Sequence, residues 1–279
     1  MKRFTFLCKC AKWDPLFILK LAIAWILSKI WAYTKWESLL KVEEYLLCSS
    51  PYVLYTPYGT YYCSALLHYA ALGENVEPEL QEIIARFKKV KQSNNYCITI
   101  GANIWRFAID AALNYWFKII AFEPSPDTYH NFRINMALSN VEEYIESYNV
   151  WLWNMNSELS FVTWEKCDTM AHFIENNDLG TKKMSGSTGK TITVPVKKFD
   201  DLGITEEKIE NTRLIIIDTE GFEFNVLMWM KESLKKFKNV QIIVEIREHK
   251  KEKQAILSLM RELWYHVKQL DNEDYLFEK

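Results

Sequence analysis

Apolar residues along the chain change their period near residue 96, and that change divides the sequence into two regions. Before it the pattern is mostly helical. Asp14-Pro15, an N-cap residue followed by a first-turn proline, opens a run expected to be helical to about residue 47. Pro51 to Gly59 is rich in Tyr and Pro and reads as a loop or irregular extended segment. Residues 61 to 72 and 78 to 90 read as helices, the second with Pro78 in its first turn and Leu80, Ile83, Ile84 and Phe87 at helical spacing.

From residue 96 short apolar runs alternate with helical patterns. Tyr96 to Ile100 predicts a strand ending at Gly101, with a helix following from about 104 to 116. Lys118 to Phe122 predicts a second strand ending at Glu123-Pro124, then a helix over 126 to 138 and a third strand over 145 to 152. This spacing argues a parallel sheet with helices on its faces. Residues 154 to 196 break the alternation: Leu159 to Trp164 and Thr191 to Val196 look like strands around the polar loop Asn176 to Lys190. It resumes with a short helix near 205 to 210, a strand Leu214 to Asp218, a helix at about 223 to 236 and a strand Val240 to Ile246. A helix over 252 to 264 and a terminal antiparallel pair, Tyr265 to Leu270 with Tyr275 to Phe277, complete the chain. The expected organisation is a helical extension over 1–72 and an α/β domain over 73–279.

Composition narrows the functional classes. With 279 residues, 49% hydrophobic and 25% charged, the chain is globular rather than disordered. The net charge of -2 gives no basic excess for non-specific nucleic-acid binding, so no nucleic-acid partner is expected. Six cysteines, at 8, 10, 48, 63, 97 and 167, include no Cys-x-x-Cys, and they read as reduced cysteines of a cytoplasmic protein, with Cys97 in the core. The five histidines show no metal-ligand spacing, and no metal is expected. Near the N-terminus, Lys2, Arg3, Lys9 and Lys12 precede the apolar run Leu16 to Leu27, which Lys20 interrupts. The run is too broken for a signal peptide or a membrane span. It reads as a buried or interfacial helix, with contact between residues 14–33 and a membrane surface as the second reading.

Two constellations carry candidate chemistry. The first is Ile98-Thr99-Ile100-Gly101-Ala102-Asn103 followed by Glu123. In nucleotide-binding α/β sheets the first strand ends in a tight turn that the ligand approaches closely, and Gly101 would keep a Cβ out of that approach. Glu123 lies 22 positions later, near the spacing of about 20 expected for a carboxylate that accepts from ribose hydroxyls. A plain turn and a solvated strand end fit the same spacing. The second is Asp218, Glu220 and Glu223, at the end of an apolar strand where a base could take a hydroxyl proton. Alternatively, Gly221 only makes the turn, and Glu220 and Glu223 favour the N-terminus of the next helix. Ser185 to Thr191 ends in Gly-Lys-Thr like a phosphate loop, but Met184 stands where the first glycine belongs, and no strand precedes it.

Gly101-Ala102-Asn103-Ile104, Ala121 to Pro126 and Ile217 to Glu223 together resemble the FkbM-type methyltransferases. Gly73 to Pro78, Asn131 to Asn135, Phe199 to Leu202 and Glu245 add smaller echoes, so the likeness runs from about 73 to 250. It implies a Rossmann-like class I methyltransferase fold, a mostly parallel sheet with helices on both faces, that binds S-adenosylmethionine and methylates a hydroxyl of a small molecule or glycan. On that likeness Thr99, Gly101, Ala102 and Asn103 line the cofactor, Glu123 with Pro124 holds its ribose, Trp151 lies near the adenine, and Glu77 closes the site. Asp218 and Glu220 become the catalytic candidates. The chain departs from the family pattern at Thr99, where Asp is usual, and at Trp105, where Gly is usual. Those departures leave a second reading: a degenerate methyltransferase-fold binding or assembly module.

Overall fold

The computed structural model describes residues 52–56, 59–63, 94–103, 106–163, 172–173, 190–219, 221–246 and 250–279, together with Leu19, Ile23, Ile26 and Ile83. Most of the helices expected over 14 to 47, 61 to 72 and 78 to 90, and most of the phosphate-loop-like turn, lie outside these residues, as do Glu77, Trp105 and Glu220.

Residues read as a loop and the start of a helix form a hairpin instead, with β1 (Tyr52–Thr56) antiparallel to β2 (Gly59–Cys63). Tertiary contacts decide this. Tyr61 is fully buried in the main core, the Tyr62 amide donates to Asn135 Oδ1 at 2.5 Å, and the Thr60 amide donates to Ser139 Oγ at 3.0 Å. A helix over 61–63 would forfeit those bonds to a neighbouring helix.

Beyond the hairpin the elements follow the alternation. They are β3 (Tyr96–Ile100), α1 (Arg106–Tyr115), β4 (Lys118–Phe122), α2 (Pro126–Leu138) and β5 (Ile145–Tyr148). Next come β6 (Trp151–Leu152), β7 (Ser157–Thr163), β8 (His172–Phe173) and β9 (Lys190–Lys197). The chain closes with α3 (Glu206–Glu210), β10 (Thr212–Ile217), α4 (Glu223–Trp229), α5 (Lys231–Lys236), β11 (Gln241–Glu245), α6 (Lys250–Glu262), β12 (His266–Gln269) and β13 (Asp274–Glu278). Seven strands form the central sheet in the order β12-β13-β11-β10-β3-β4-β5. β10, β11, β3, β4 and β5 pair in parallel, and β13 inserts antiparallel between β11 and β12. This is the Rossmann-like class I architecture the sequence implied.

The strands read as continuous apolar runs because both faces are covered. Cross-strand register places Ile120, Ile98, Ile215, Ile242 and Phe277 in one row against α4, α5 and α6. Ala121, Thr99, Ile216, Ile243 and Leu276 form the row on the opposite face, where α1 and α2 pack. α2 begins as its sequence dictates: Pro126 stands in the first turn, and Ser125 Oγ accepts from the Thr128 amide at 3.4 Å.

Two further expectations are corrected. The third strand does not run to 152. It ends at Tyr148, where Asn149 turns to donate to the Glu123 and Pro124 carbonyls at 2.8 and 2.9 Å. Trp151-Leu152 then joins a separate four-stranded sheet of order β6-β9-β7-β8. The helix over 223 to 236 is interrupted at buried Met230, although Met230 N to Val226 O (2.9 Å) and Leu234 N to Met230 O (2.7 Å) carry the hydrogen-bond ladder through it.

Candidate active site

Chain order reverses at β3, which has later strands on both sides: β4 and β5 to one, β10 and β11 to the other. In open α/β sheets ligands bind at such a switch point, outside the carboxyl ends of the strands. Three loops interlock there. Gly101 adopts φ +81°, and a Cβ on it would lie 1.8 Å from the Asp218 carbonyl oxygen. The glycine is therefore required by the β10 loop pressing against the β3 loop. The sequence marks the same glycine for the close approach of a ligand, and Gly101 does line the cavity at this edge. The Asp218 amide donates to the Ile100 carbonyl at 3.1 Å, and the Gly101 and Ala102 amides both donate to the Phe122 carbonyl, at 3.0 and 2.7 Å.

Glu123 joins the β3 and β4 loops. It is 6% exposed, and its carboxylate accepts from the Asn103 amide at 2.7 Å and the Ser125 amide at 2.9 Å. Asn103 holds a left-handed φ of +53°, which turns its amide onto that carboxylate. A carboxylate is an acceptor-only group with about four lone-pair sites, two of which these amides occupy.

On the other side of the switch point, Glu223 folds the β10 loop. One oxygen of its buried carboxylate accepts from the Thr219 amide (2.9 Å), the Thr219 hydroxyl (2.9 Å) and the Gly221 amide (3.0 Å). The loop so shaped leaves Asp218 half-buried at the carboxyl edge.

A cavity of about 170 Å³ opens at the ends of β3, β10 and β11. Thr99, Gly101, Ala102 and Asp218 line it, together with apolar Phe107, Ile216 and Ile243. Thr99 Oγ1 is buried and has no hydrogen-bond partner among the described residues, an arrangement that costs about 1–3 kcal/mol when nothing binds. The structure thus brings Thr99, Gly101, Ala102 and Asp218 to one cavity, while Asn103, Glu123 and Pro124 stand on the β4 side, outside its lining. Trp151 is 5% exposed and packs edge-on against Phe222, with ring centroids 5.9 Å apart. It anchors the second sheet to the β10 loop, with Trp153 stacked obliquely on Trp229 at 4.2 Å.

The cavity also has a wall that sequence reasoning did not assign: Glu245, Asp271, Glu273 and Asp274. Glu245 ends β11 and carried a signal, as an acidic strand end. The other three carried none, because the β12–β13 turn reaches the carboxyl edge only once β13 inserts antiparallel beside β11. Among the described residues no group of three or more His, Cys, Asp or Glu is arranged to hold a metal ion.

A family model, the Methyltransferase FkbM domain, matches residues 99–271 of this sequence. The chain belongs to the FkbM methyltransferase family. That match spans the three interlocked loops and the second sheet, and ends at Asp271. No curated protein matches the chain. Similar solved structures include a putative methyltransferase from Streptococcus mutans in complex with SAH, at 11% identity and TM-score 0.44, covering 71% of this chain and 95% of that one. TYW2 of M. jannaschii in complex with AdoMet is similar at 11% identity and TM-score 0.41, over 82% and 86% of the two chains. A human methyltransferase 10 domain containing protein is similar at 11% identity and TM-score 0.41, over 73% and 80%. Among the described residues no helix is long and apolar enough to cross a membrane.

Proposed function

We propose that this FkbM-family chain is an S-adenosylmethionine-dependent methyltransferase that methylates a hydroxyl of a small molecule or glycan. The observation that carries the reading is the switch point itself, where a buried acidic strand end, Glu123, and a side-chain-poor turn, Gly101-Ala102, meet beside a cavity lined by the buried Thr99 hydroxyl, which has no hydrogen-bond partner among the described residues. These groups fit the cofactor. Glu123, just past the end of β4, is the carboxylate that would accept from ribose hydroxyls, Pro124 shapes the β4 loop beside it, and the backbone at Gly101 to Asn103 faces the carboxyl edge. Thr99 offers its hydroxyl to the amino-acid end.

S-adenosylmethionine bound there would supply an electrophilic methyl group to the acceptor oxygen, its thioether being the leaving group. Asp218 takes the acceptor's hydroxyl proton, and the loop that Glu223 folds fixes its position. Phe107, Ile216 and Ile243 keep water from the reacting atoms, and alignment inside that enclosure supplies most of the rate.

A second reading, a methyltransferase-fold binding or assembly module without turnover, is favoured by Thr99, whose neutral hydroxyl stands where the family usually has a carboxylate. Titration with S-adenosylhomocysteine tests both. The leading reading expects one site, weakened more by Glu123→Ala than by Glu123→Gln, which keeps one acceptor oxygen. Absence of binding to the folded protein defeats it. Cofactor that co-purifies and is never turned over points to the module.

A further inference from the structure

The backbone that carries Glu123 is held from the neighbouring strand by a side chain that the sequence did not single out, Asn149. The Glu123 amide donates to the Tyr148 carbonyl at 3.1 Å, just past the last paired residues of β4 and β5. β5 ends there, and the Asn149 carboxamide takes the strand's place: Nδ2 donates to the Glu123 carbonyl at 2.8 Å and to the Pro124 carbonyl at 2.9 Å. A primary amide carries two N–H donors on one nitrogen, so it serves both carbonyls at once, where an aspartate of the same shape would offer neither donor. Consecutive peptide groups are thereby fixed, 122–123 by Tyr148, then 123–124 and 124–125 by Asn149. The 124–125 group matters most. In a trans peptide the C=O and the N–H point in opposite directions, and no described peptide is cis. Asn149 draws the Pro124 carbonyl to one side, so the Ser125 amide of the same plane is presented to the other, where it donates to Glu123 Oε1 at 2.9 Å. One rigid plane joins the Asn149 side chain to the Glu123 carboxylate.

Resting on the methyltransferase reading above, we propose that Asn149 is a positioning residue of the cofactor site, one that sets the direction of the Glu123 carboxylate toward the ribose hydroxyls. Asn149 acts through the 124–125 peptide rather than by touching the cofactor or the acceptor. Without its donors the Glu123 and Pro124 carbonyls turn to water, the 124–125 plane rotates, and the Ser125 amide leaves the carboxylate. Glu123 then keeps its charge and its bond from the Asn103 amide but loses its aim. Hydrogen bonds weaken steeply as they bend, so a misdirected carboxylate recognises a pair of hydroxyls poorly even when it stays nearby. Asn149 is only half-buried, and its removal opens no hole in either core cluster, so the loss falls on ribose recognition rather than on the fold.

Titration calorimetry on the full chain, with S-adenosylhomocysteine and with its dideoxyribose analogue, which lacks both ribose hydroxyls, tests the proposal. The unaltered protein is expected to prefer the ribose form at least about tenfold. Asn149→Ala should remove most of that preference while holding the affinity for the dideoxy analogue within about twofold. In Glu123→Gln, adding Asn149→Ala should narrow the preference no further, because the two residues act as one unit. Amide hydrogen exchange in the unloaded protein gives a second reading: Asn149→Ala should speed exchange at Ser125 at least about tenfold and leave Ile120, inside β4, unchanged. Asn149→Asp, which keeps the shape of the side chain and loses both donors, takes the place of the alanine variant if that fails to fold. An equal loss of affinity for both ligands overturns the proposal, because Asn149 then supports the fold alone. A native protein indifferent to the ribose hydroxyls, or exchange at Ser125 that stays at its native rate in the variant, overturns it as well. Failure of S-adenosylhomocysteine to bind the unaltered protein defeats the methyltransferase reading instead, and exchange at Ser125 still decides whether Asn149 holds the Glu123 loop.

Discussion

Two glycines in the site loops carry different physical burdens, and the difference is measurable. Gly101 combines φ +81° with a Cβ position 1.8 Å from the Asp218 carbonyl oxygen, whereas Gly221 has φ +107° and open space around its Cβ position. Gly101→Ala should cost at least about 2 kcal/mol, because the β3 and β10 loops must part to admit the methyl group. Gly221→Ala should cost only the backbone strain, about 1–2 kcal/mol. Urea unfolding of both variants checks the order, and equal losses would show that steric closure at 101 has been overstated. Glu223 is the other residue whose removal should be felt well beyond its own position. Glu223→Ala leaves the Thr219 and Gly221 amides without their acceptor and should lower stability by about 2 kcal/mol, while Glu223→Gln keeps one acceptor oxygen and most of the stability. The sequence showed both glycines and both carboxylates, 123 and 223. It did not show that each carboxylate caps backbone amides, since that depends on loop geometry which strands far apart in the chain impose on one another.

The ends of α1 and α6 show a shared device. The Phe117 amide reaches back to the Ala111 carbonyl at 3.2 Å, the Tyr265 amide to the Met260 carbonyl at 2.9 Å, and both chains turn through a left-handed tryptophan, Trp116 (φ +60°) and Trp264 (φ +66°). Glycine is the usual residue at this position, because a Cβ is strained there. Trp264 is 83% exposed, so Trp264→Gly should forfeit little burial and raise stability by about 1 kcal/mol, read as a higher thermal midpoint. A fall would mean that the indole makes contacts which offset its strain. β5 and α3 are joined differently. Burial works against the charge of the Glu146 carboxylate, but hydrogen bonds from Lys208 and Tyr148 and the charge of Lys208 outweigh it, holding Glu146 below the usual carboxylate range. A folded-state pKa below the unfolded one stabilises the fold above the unfolded pKa, and the contribution fades as pH falls through the folded value. The protein should therefore exceed Glu146→Gln in urea midpoint near neutral pH, with the gap closing in acid. Element identity was largely legible because apolar periodicity reports burial, as the match of the helix over 126–138 shows. Residues 61–63 and 149–152 were not, because their pairing partners lie far off in sequence: Tyr62 against Asn135 and Trp151 against Val196.

In the molecule as a whole, the doubly covered sheet both shields the core and presents one functional edge. Cys97 illustrates the shielding: it is fully buried in β3, and burial pushes its thiol up, away from thiolate formation. Native-state alkylation followed by mass mapping should leave Cys97 unmodified until urea unfolds the chain, and prompt labelling would contradict the packing of β3 between its neighbours. The functional edge was partly legible. Gly101, Glu123 and Asp218 stand at strand ends because apolar runs end there, and strand ends in a parallel sheet share one edge. The acidic turn at 271–274 was not legible, because its place at that edge follows from the one antiparallel insertion, which local pattern does not announce. The central claim concerns that edge, and a crystal structure of the protein with S-adenosylhomocysteine tests it most directly. The account predicts the ribose hydroxyls within hydrogen-bond reach of the Glu123 carboxylate and the amino-acid end against Thr99, beneath the loop of Asp218. An adenosyl group bound elsewhere, with its ribose away from the Glu123 carboxylate, would contradict it.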